Sequence, residues 1–176
     1  MGLTMAAACP EPGAANWYAL QVRHNHERLV STVLSSKGYL EFFPTYRKQR
    51  RRSDRTVEIE MPLFPGYVFC RFDARDFRVP IVTTPGVIRI VGIARGPVPV
   101  DDSEIAAIQR VVASGFTVEP WPYVRTGQNI RIQHGALAGV EGVLVDVKNH
   151  RRLIVSITLL QRSIHVDIDS ALVVPN

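Results

Sequence analysis

The hydrophobic period of this 176-residue chain changes at Tyr123, and the change divides it in two. Downstream of Tyr123 no helical spacing of apolar residues survives. Four alternating segments follow instead, at 129–133 (NIRIQ), 142–147 (GVLVDV), 152–160 (RLIVSITLL) and 163–168 (SIHVDI). Alternation places apolar side chains on one face of an extended strand. Val143, Val145, Val155, Ile157, Ile164 and Val166 are β-branched and suit that conformation. Gly127, Gly135, Gly139 and Gly142 punctuate the segments. Short, regularly spaced strands in about fifty residues predict a small β-barrel, close to the lower size limit for independent folding.

Upstream, both periods are present. Residues 1–15 are small, polar or Pro-rich and read as an unstructured tail. Asn16 to Arg23 reads as a strand. Asn25 is a candidate N-cap for a helix with Glu27 in its first turn and Lys37-Gly38 at its end. Leu29, Val30, Val33 and Leu34 fall on one face of that helix. Residues 39–46 and 56–60 read as strands flanking a basic segment, which becomes the tip of a long hairpin. Pro62, Pro65 and Gly66 mark a turn before a strand from Tyr67 to Phe72. A short helix is expected over 77–84, with Pro80 in its first turn, then a strand over 87–91. A third helix follows, with Asp101, Asp102 or Ser103 as its cap. Ile105, Ile108, Val111 and Val112 supply its apolar face, and Gly115 ends it. The order β-α-β-β-β-α-β-α predicts an α+β domain over 16–116. Residues 117–124 (TVEPWPYV) carry two prolines and read as a semi-rigid linker to the second domain, 125–176.

Apolar residues make up 46% of the chain and charged residues 21%, the balance of a globular protein. No stretch approaches the ~20 apolar residues that cross a bilayer as a helix, so no membrane association is expected. The N-terminus lacks the basic and apolar regions of a signal peptide. Cys9 and Cys70 make neither a disulfide framework nor a metal set, which fits a reducing cytoplasm. The net charge of +5 is concentrated. Arg47, Lys48, Arg50, Arg51, Arg52 and Arg55 oppose only Asp54 within residues 47–55, and the remainder balances at 15 basic and 15 acidic residues. Such a cluster attracts phosphate backbones, although charge runs are commonly solvated faces.

Catalytic patterns are missing. The chain has no Gly-x-Ser-x-Gly, no phosphate-binding glycine loop and no Cys-x-x-Cys. His134, His150 and His165 fall in separate strands or turns, and His24-x-His26 lacks further metal ligands. The sequence therefore points to a binding protein, not an enzyme, with no cofactor and no metal. In the strand after Gly66, Val68, Cys70 and Phe72 face one way and Tyr67 and Phe69 the other. Both faces are apolar, so both need cover. The first two helices suffice for one. The other is closed by the third helix or left open for a partner, and the residues alone leave that choice even.

Trp17-Tyr18, Glu27, the run Pro62-Leu63-Phe64-Pro65-Gly66-Tyr67-Val68-Phe69 and the stretch Gly127 to Val145 (GQNIRIQHGALAGVEGVLV) together resemble the NusG family of transcription factors, from Trp17 to Pro175. The first three resemble its N-terminal (NGN) domain and the last its KOW motif. The phrases PLFPGYVF and SITLLQRSIHVDID are closer to the UpxY and RfaH paralogues than to housekeeping NusG. The resemblance implies a monomeric elongation and antitermination factor. It would dock on the clamp helices of the large RNA polymerase subunit through Phe64, Pro65, Gly66, Tyr67 and Phe69. Binding would favour a closed clamp and suppress pausing and termination, at a polysaccharide operon if the UpxY likeness holds.

Arg23, His24, His26 and Arg28 stand where RfaH reads non-template DNA, with Arg23 alone matching by charge. Phe77-Arg78-Val79-Pro80 departs from the threonine-rich stretch of RfaH that faces the other side of the cleft. The basic segment is the candidate for contact with DNA or nascent RNA. The KOW domain would capture Rho or a ribosomal protein. In RfaH that domain also refolds from a helical hairpin, whereas the β-branched residues here predict a permanent barrel. Two alternatives remain: a housekeeping NusG acting with Rho, and a ribosomal-type KOW protein that binds RNA.

Overall fold

The computed structural model describes residues 15–52, 55–73, 78–124, 127–147 and 150–168. The expected tail up to residue 14, and with it Cys9, lies outside the described residues, as do Asp54 and Phe77.

The first domain is built on an antiparallel sheet of four strands in the order β2-β5-β1-β6. These are β1 (Asn16–Val22), β2 (Leu40–Phe42), β5 (Tyr67–Phe72) and β6 (Val87–Ile90). Helices α1 (Glu27–Ser36) and α2 (Arg78–Val82) lie on one face, where Val30, Leu34 and Ile81 pack with Tyr18, Leu20, Val68, Cys70 and Phe72. The alternation of β1 sends Trp17 and Ala19 to the opposite face. There they join Phe64, Phe69, Val100 and Ile105, Ile108 and Val111 of α3 (Asp102–Ala113). Both faces are covered, as the two apolar alternations of β5 require.

Between β2 and β5 stands a separate two-stranded ribbon, β3 (Thr45–Arg52) paired with β4 (Arg55–Pro62). The expected strand over 39–46 is therefore two strands, broken at buried Pro44, which has no N–H to give to a ladder. A two-residue pair, β7 (Gly92–Ile93) with β8 (Gly96–Pro97), precedes α3.

Helix α3 keeps its expected cap, since the Asp101 carboxylate accepts the Ser103 N–H at 2.7 Å. Helix α1 does not. Asn25 sits at φ +63°, and His26 takes the N-cap position without a side-chain hydrogen bond. Leu29 and Val112, expected on buried helix faces, are among the exposed large apolar residues.

The second domain is a five-stranded antiparallel sheet in the order β10-β11-β12-β13-β9, with the register continuous across β11, β12 and β13. Its strands are β9 (Val118–Trp121), β10 (Gln128–Arg131), β11 (Glu141–Val147), β12 (His150–Ile157) and β13 (Arg162–Ile168). Where the sequence suggested a linker at 117–124, Val118–Trp121 is thus a strand, paired along β13 from Val118↔Val166 to Trp121↔Ser163. Trp121 fixes it, with the Arg152 guanidinium 4.9 Å from its ring centre and the His165 ring 4.8 Å away at 68°. The long strand expected at 152–160 ends at Ile157 and gives way to a 3-10 turn, Thr158–Leu160. The two domains touch: α3 packs on β12, and the Glu104 carboxylate accepts the Thr158 N–H at 3.1 Å.

Candidate functional site

The turn between β4 and β5 is held by one backbone hydrogen bond of its own and by two to neighbouring segments. Leu63 N–H donates to Pro44 O at 3.0 Å, Tyr67 N–H to Phe64 O at 3.0 Å, and Val22 N–H to Gly66 O at 2.9 Å. Gly66 has φ +83°, a left-handed conformation that a Cβ penalises. Its own N–H donates to the carboxylate of Glu27 at 2.9 Å. Glu27 is 4% exposed, buried at the first turn of α1 beneath the turn it holds. The sequence marks Glu27 as a feature but gives it no task, because its partner lies 39 residues away.

This turn carries the five expected docking residues, and it sorts them. Pro65 is exposed and Gly66 and Tyr67 are half-buried. Phe64 and Phe69, expected as anchors on an open surface, are core residues at 1% and 0% exposure. Their rings meet edge-on, 5.5 Å between centres, and Phe42 leans on Phe69 at 6.2 Å. Tyr67 packs against the cluster that holds both rings and α3. The aromatic group is thus a buried floor under a narrow rim, with the third helix helping to close the floor from behind.

The basic segment also departs from its expected place. Arg47 to Arg52 run along β3 and Arg55 opens β4, so these charges line the strands of the ribbon itself. Cross-strand register pairs Arg47 with Glu60, Gln49 with Glu58 and Arg51 with Thr56, while Lys48 faces Ile59 and Arg50 faces Val57. Residues directly opposite share a face. Glu60 bridges Arg28 of α1 and accepts the Thr45 hydroxyl, and Glu58 lies 3.8 Å from Arg47. The Thr45 hydrogen bond and then Arg28 hold the Glu60 carboxyl below its ordinary range.

Arg23 and His24 are exposed at the entry to α1, and His26 is half-buried with Nδ1 3.1 Å from His24 O. Arg28 is spent on Glu60 and lies 6.0 Å from the centre of the Phe43 ring. The structure therefore keeps Arg23, His24 and His26 together at the entry to α1 and ties Arg28 to Glu60 of the ribbon. Among the described residues no group of three or more His, Cys, Asp or Glu side chains could hold a metal, and no helix is long and apolar enough to cross a membrane.

In the second domain the four motif glycines are structural. Gly135 and Gly139 have φ near +80°. A Cβ at Gly127 would lie 2.3 Å from Val143, and one at Gly142 would lie 2.4 Å from the Ile154 carbonyl oxygen. They permit close strand packing and turns, and present no side chain to a partner.

A four-stranded sheet flanked by helices, followed by a five-stranded antiparallel sheet, defines a mixed α+β protein with a strand-rich C-terminal part. Residues 15–109, more than half of the chain, match the family described as transcription termination factor NusG. The chain belongs to the NusG family of transcription termination and antitermination factors, which are not enzymes. It is 28% identical to the transcription termination/antitermination protein NusG of Pseudomonas aeruginosa, over 89% of this chain and 96% of that one. It is 26% identical to the protein of the same name from Thermus thermophilus, over 90% and 97%. A solved structure described as domain interaction in Thermotoga maritima NusG matches with a TM-score of 0.55 at 23% identity, covering 90% of this chain and 96% of that chain. That last likeness is one of fold.

Proposed function

We propose that the N-terminal unit, residues 16–116, docks on RNA polymerase and that the docked protein suppresses pausing and termination. The observation that carries this reading is the rim at Pro65, Gly66 and Tyr67. A half-buried tyrosine at the edge of a rigid aromatic floor combines apolar area with little ordering cost, the composition of an interface anchor. Glu27 beneath Gly66 keeps the turn in one shape, so little conformational freedom is lost on binding. Phe64 and Phe69 act as the support of the rim. The bound polymerase changes only in the balance between its conformations, and no bond is made or broken.

Nucleic acid is the second partner in this reading, contacted by the basic ribbon and by Arg23, His24 and His26 at the corner of α1. The C-terminal domain, from residue 125, presents its sheet to a further protein, with Rho or a ribosomal protein as the candidates. The phrases PLFPGYVF and SITLLQRSIHVDID resemble the UpxY and RfaH type of paralogue, and that resemblance supports action at a polysaccharide-type operon. The relatives named termination/antitermination protein NusG favour a second reading, general action with Rho at many genes.

Single-round transcription by purified bacterial polymerase tests the main reading. Added protein should shorten pauses and raise read-through at a terminator, and Tyr67→Ala should lose both effects while keeping its fold. A folded Tyr67→Ala protein with full wild-type activity would remove the rim from the mechanism.

A further inference from the structure

The sheet face that packs against α3 is not covered to its end. Register places Phe69 of β5 opposite Ala19 of β1, and both are fully buried in the cluster that α3 completes. One repeat further along the strands, Tyr67 stands opposite Gln21, and Gln21 opposite Arg89 of β6. Directly opposite residues share a face, so Tyr67, Gln21 and Arg89 form a single row across the sheet. This row is only partly covered: Tyr67 and Gln21 are half-buried and Arg89 is exposed. Adjacent strands lie ~4.8 Å apart, which puts the Arg89 backbone about 10 Å from that of Tyr67. The Arg89 Nε donates to Gln21 Oε1 at 2.8 Å, so the guanidinium is tethered within the row. Among the described residues no carboxylate pairs with it. Its own stretch of chain supplies none either, since residues 77–100 hold Arg78, Arg89 and Arg95 and no Asp or Glu.

We infer that Arg89 extends the docking rim across the sheet and pairs with a carboxylate on the polymerase surface that covers Tyr67, with Gln21 as its positioning residue. The inference rests on the docking reading and adds the chemistry of the partner, an Asp or Glu side chain set beside the contact of Tyr67. A guanidinium suits that task because its planar fork meets both oxygens of a carboxylate. The bond to Gln21 orders the arginine in advance, so less side-chain freedom is lost when the pair forms. A partner seated on Tyr67 excludes water from the same row, and the attraction strengthens as the local dielectric falls. The row thus joins an apolar anchor to a charged group. The anchor supplies affinity, and the charge selects a docking surface that carries an acid at the matching place.

The test is the equilibrium affinity of the full-length protein for purified bacterial RNA polymerase over a series of salt concentrations, with circular dichroism to verify that each variant is folded. Arg89→Gln should weaken binding about tenfold at low salt, the size of one charge-assisted pair, and the loss should shrink as salt rises. Arg89→Glu should lose more than Arg89→Gln. Arg95→Gln removes another exposed arginine, from the turn between β7 and β8, and should keep wild-type affinity. Gln21→Ala should weaken the wild type yet add nothing in the Arg89→Gln background, a coupling that a merely structural role would not produce. Wild-type affinity of folded Arg89→Gln overturns the inference, as does an equal loss from Arg95→Gln, which marks a diffuse effect of charge. Tyr67→Ala, measured alongside, separates the two claims. Wild-type affinity of that variant removes the docking rim itself, whereas its loss beside an unaffected Arg89→Gln removes the arginine alone.

Discussion

A carboxylate buried in the first turn of a helix is costly unless donors meet it, and Glu27 meets the Gly66 N–H at 2.9 Å. Glu27→Ala would leave that amide half-buried without an acceptor, at a cost of about 1–3 kcal/mol. Glu27→Gln keeps an accepting oxygen and should cost less, a difference that chemical denaturation of the two variants would resolve. Phe64 and Phe69 belong to the fold before anything else: truncating either to Ala should cost about 3–5 kcal/mol, whereas Tyr67→Ala should spare most of that stability. Cys70 is fully buried, and burial, with the nearby Glu41 charge, pushes its thiol up to about 12. The folded thiol should resist alkylation that modifies the denatured chain readily. Between pH 9 and about 12 the folded protein keeps a proton that the unfolded chain releases, so this group's contribution to stability falls as pH rises through that window. A thiol that reacts at the rate of a free one at pH 8 would contradict this burial.

At the scale of elements, legibility follows locality. Helix α3 was readable because its cap, Asp101, and its apolar face are all near in sequence. The cap of α1 was misread because Asn25 takes a left-handed conformation, leaving its side chain out of the capping position. The ribbon was readable as a hairpin but not in its length. Arginine and lysine are unremarkable strand formers, and what extends β3 is pairing with Val57 and Ile59, an interaction that one strand's sequence does not display. Strand β9 was hidden by Pro120, which argues against a central strand. At the edge of a sheet one side needs no hydrogen bonds, so the proline is tolerated. His165 closes the joint beside β9 with its Nδ1 unpartnered, and burial, then the charge of Arg152, lowers its pKa. The unfolded chain should therefore bind a proton on this side chain at a higher pH than the folded one. Stability should fall as pH drops below His165's ordinary 6.5, and His165→Leu should weaken that acid dependence in a denaturation series. An unchanged pH profile would show that His165 titrates alike in both states.

Across the whole molecule, one apolar core runs from β1 through α3 into the second domain. The sequence showed two domains by their periods but could not show that they meet, since contacts between surfaces leave no local pattern. Glu104 makes the polar part of that contact, and Glu104→Ala should speed hydrogen exchange at the Thr158 amide without unfolding either domain. Exchange at the wild-type rate would mean that the apolar packing alone holds the domains together. The same arrangement decides how much of the aromatic group a partner meets: α3 and the core behind it keep Phe64 and Phe69 covered, and the rim at Tyr67 stays accessible.

That rim is best tested by the equilibrium affinity of the protein for purified RNA polymerase, wild type against Tyr67→Ala, with far-ultraviolet circular dichroism to verify that both are folded. Docking through Tyr67 predicts a loss of ~2 kcal/mol or more, a weakening of roughly thirtyfold. Equal affinity of the two folded proteins would contradict it.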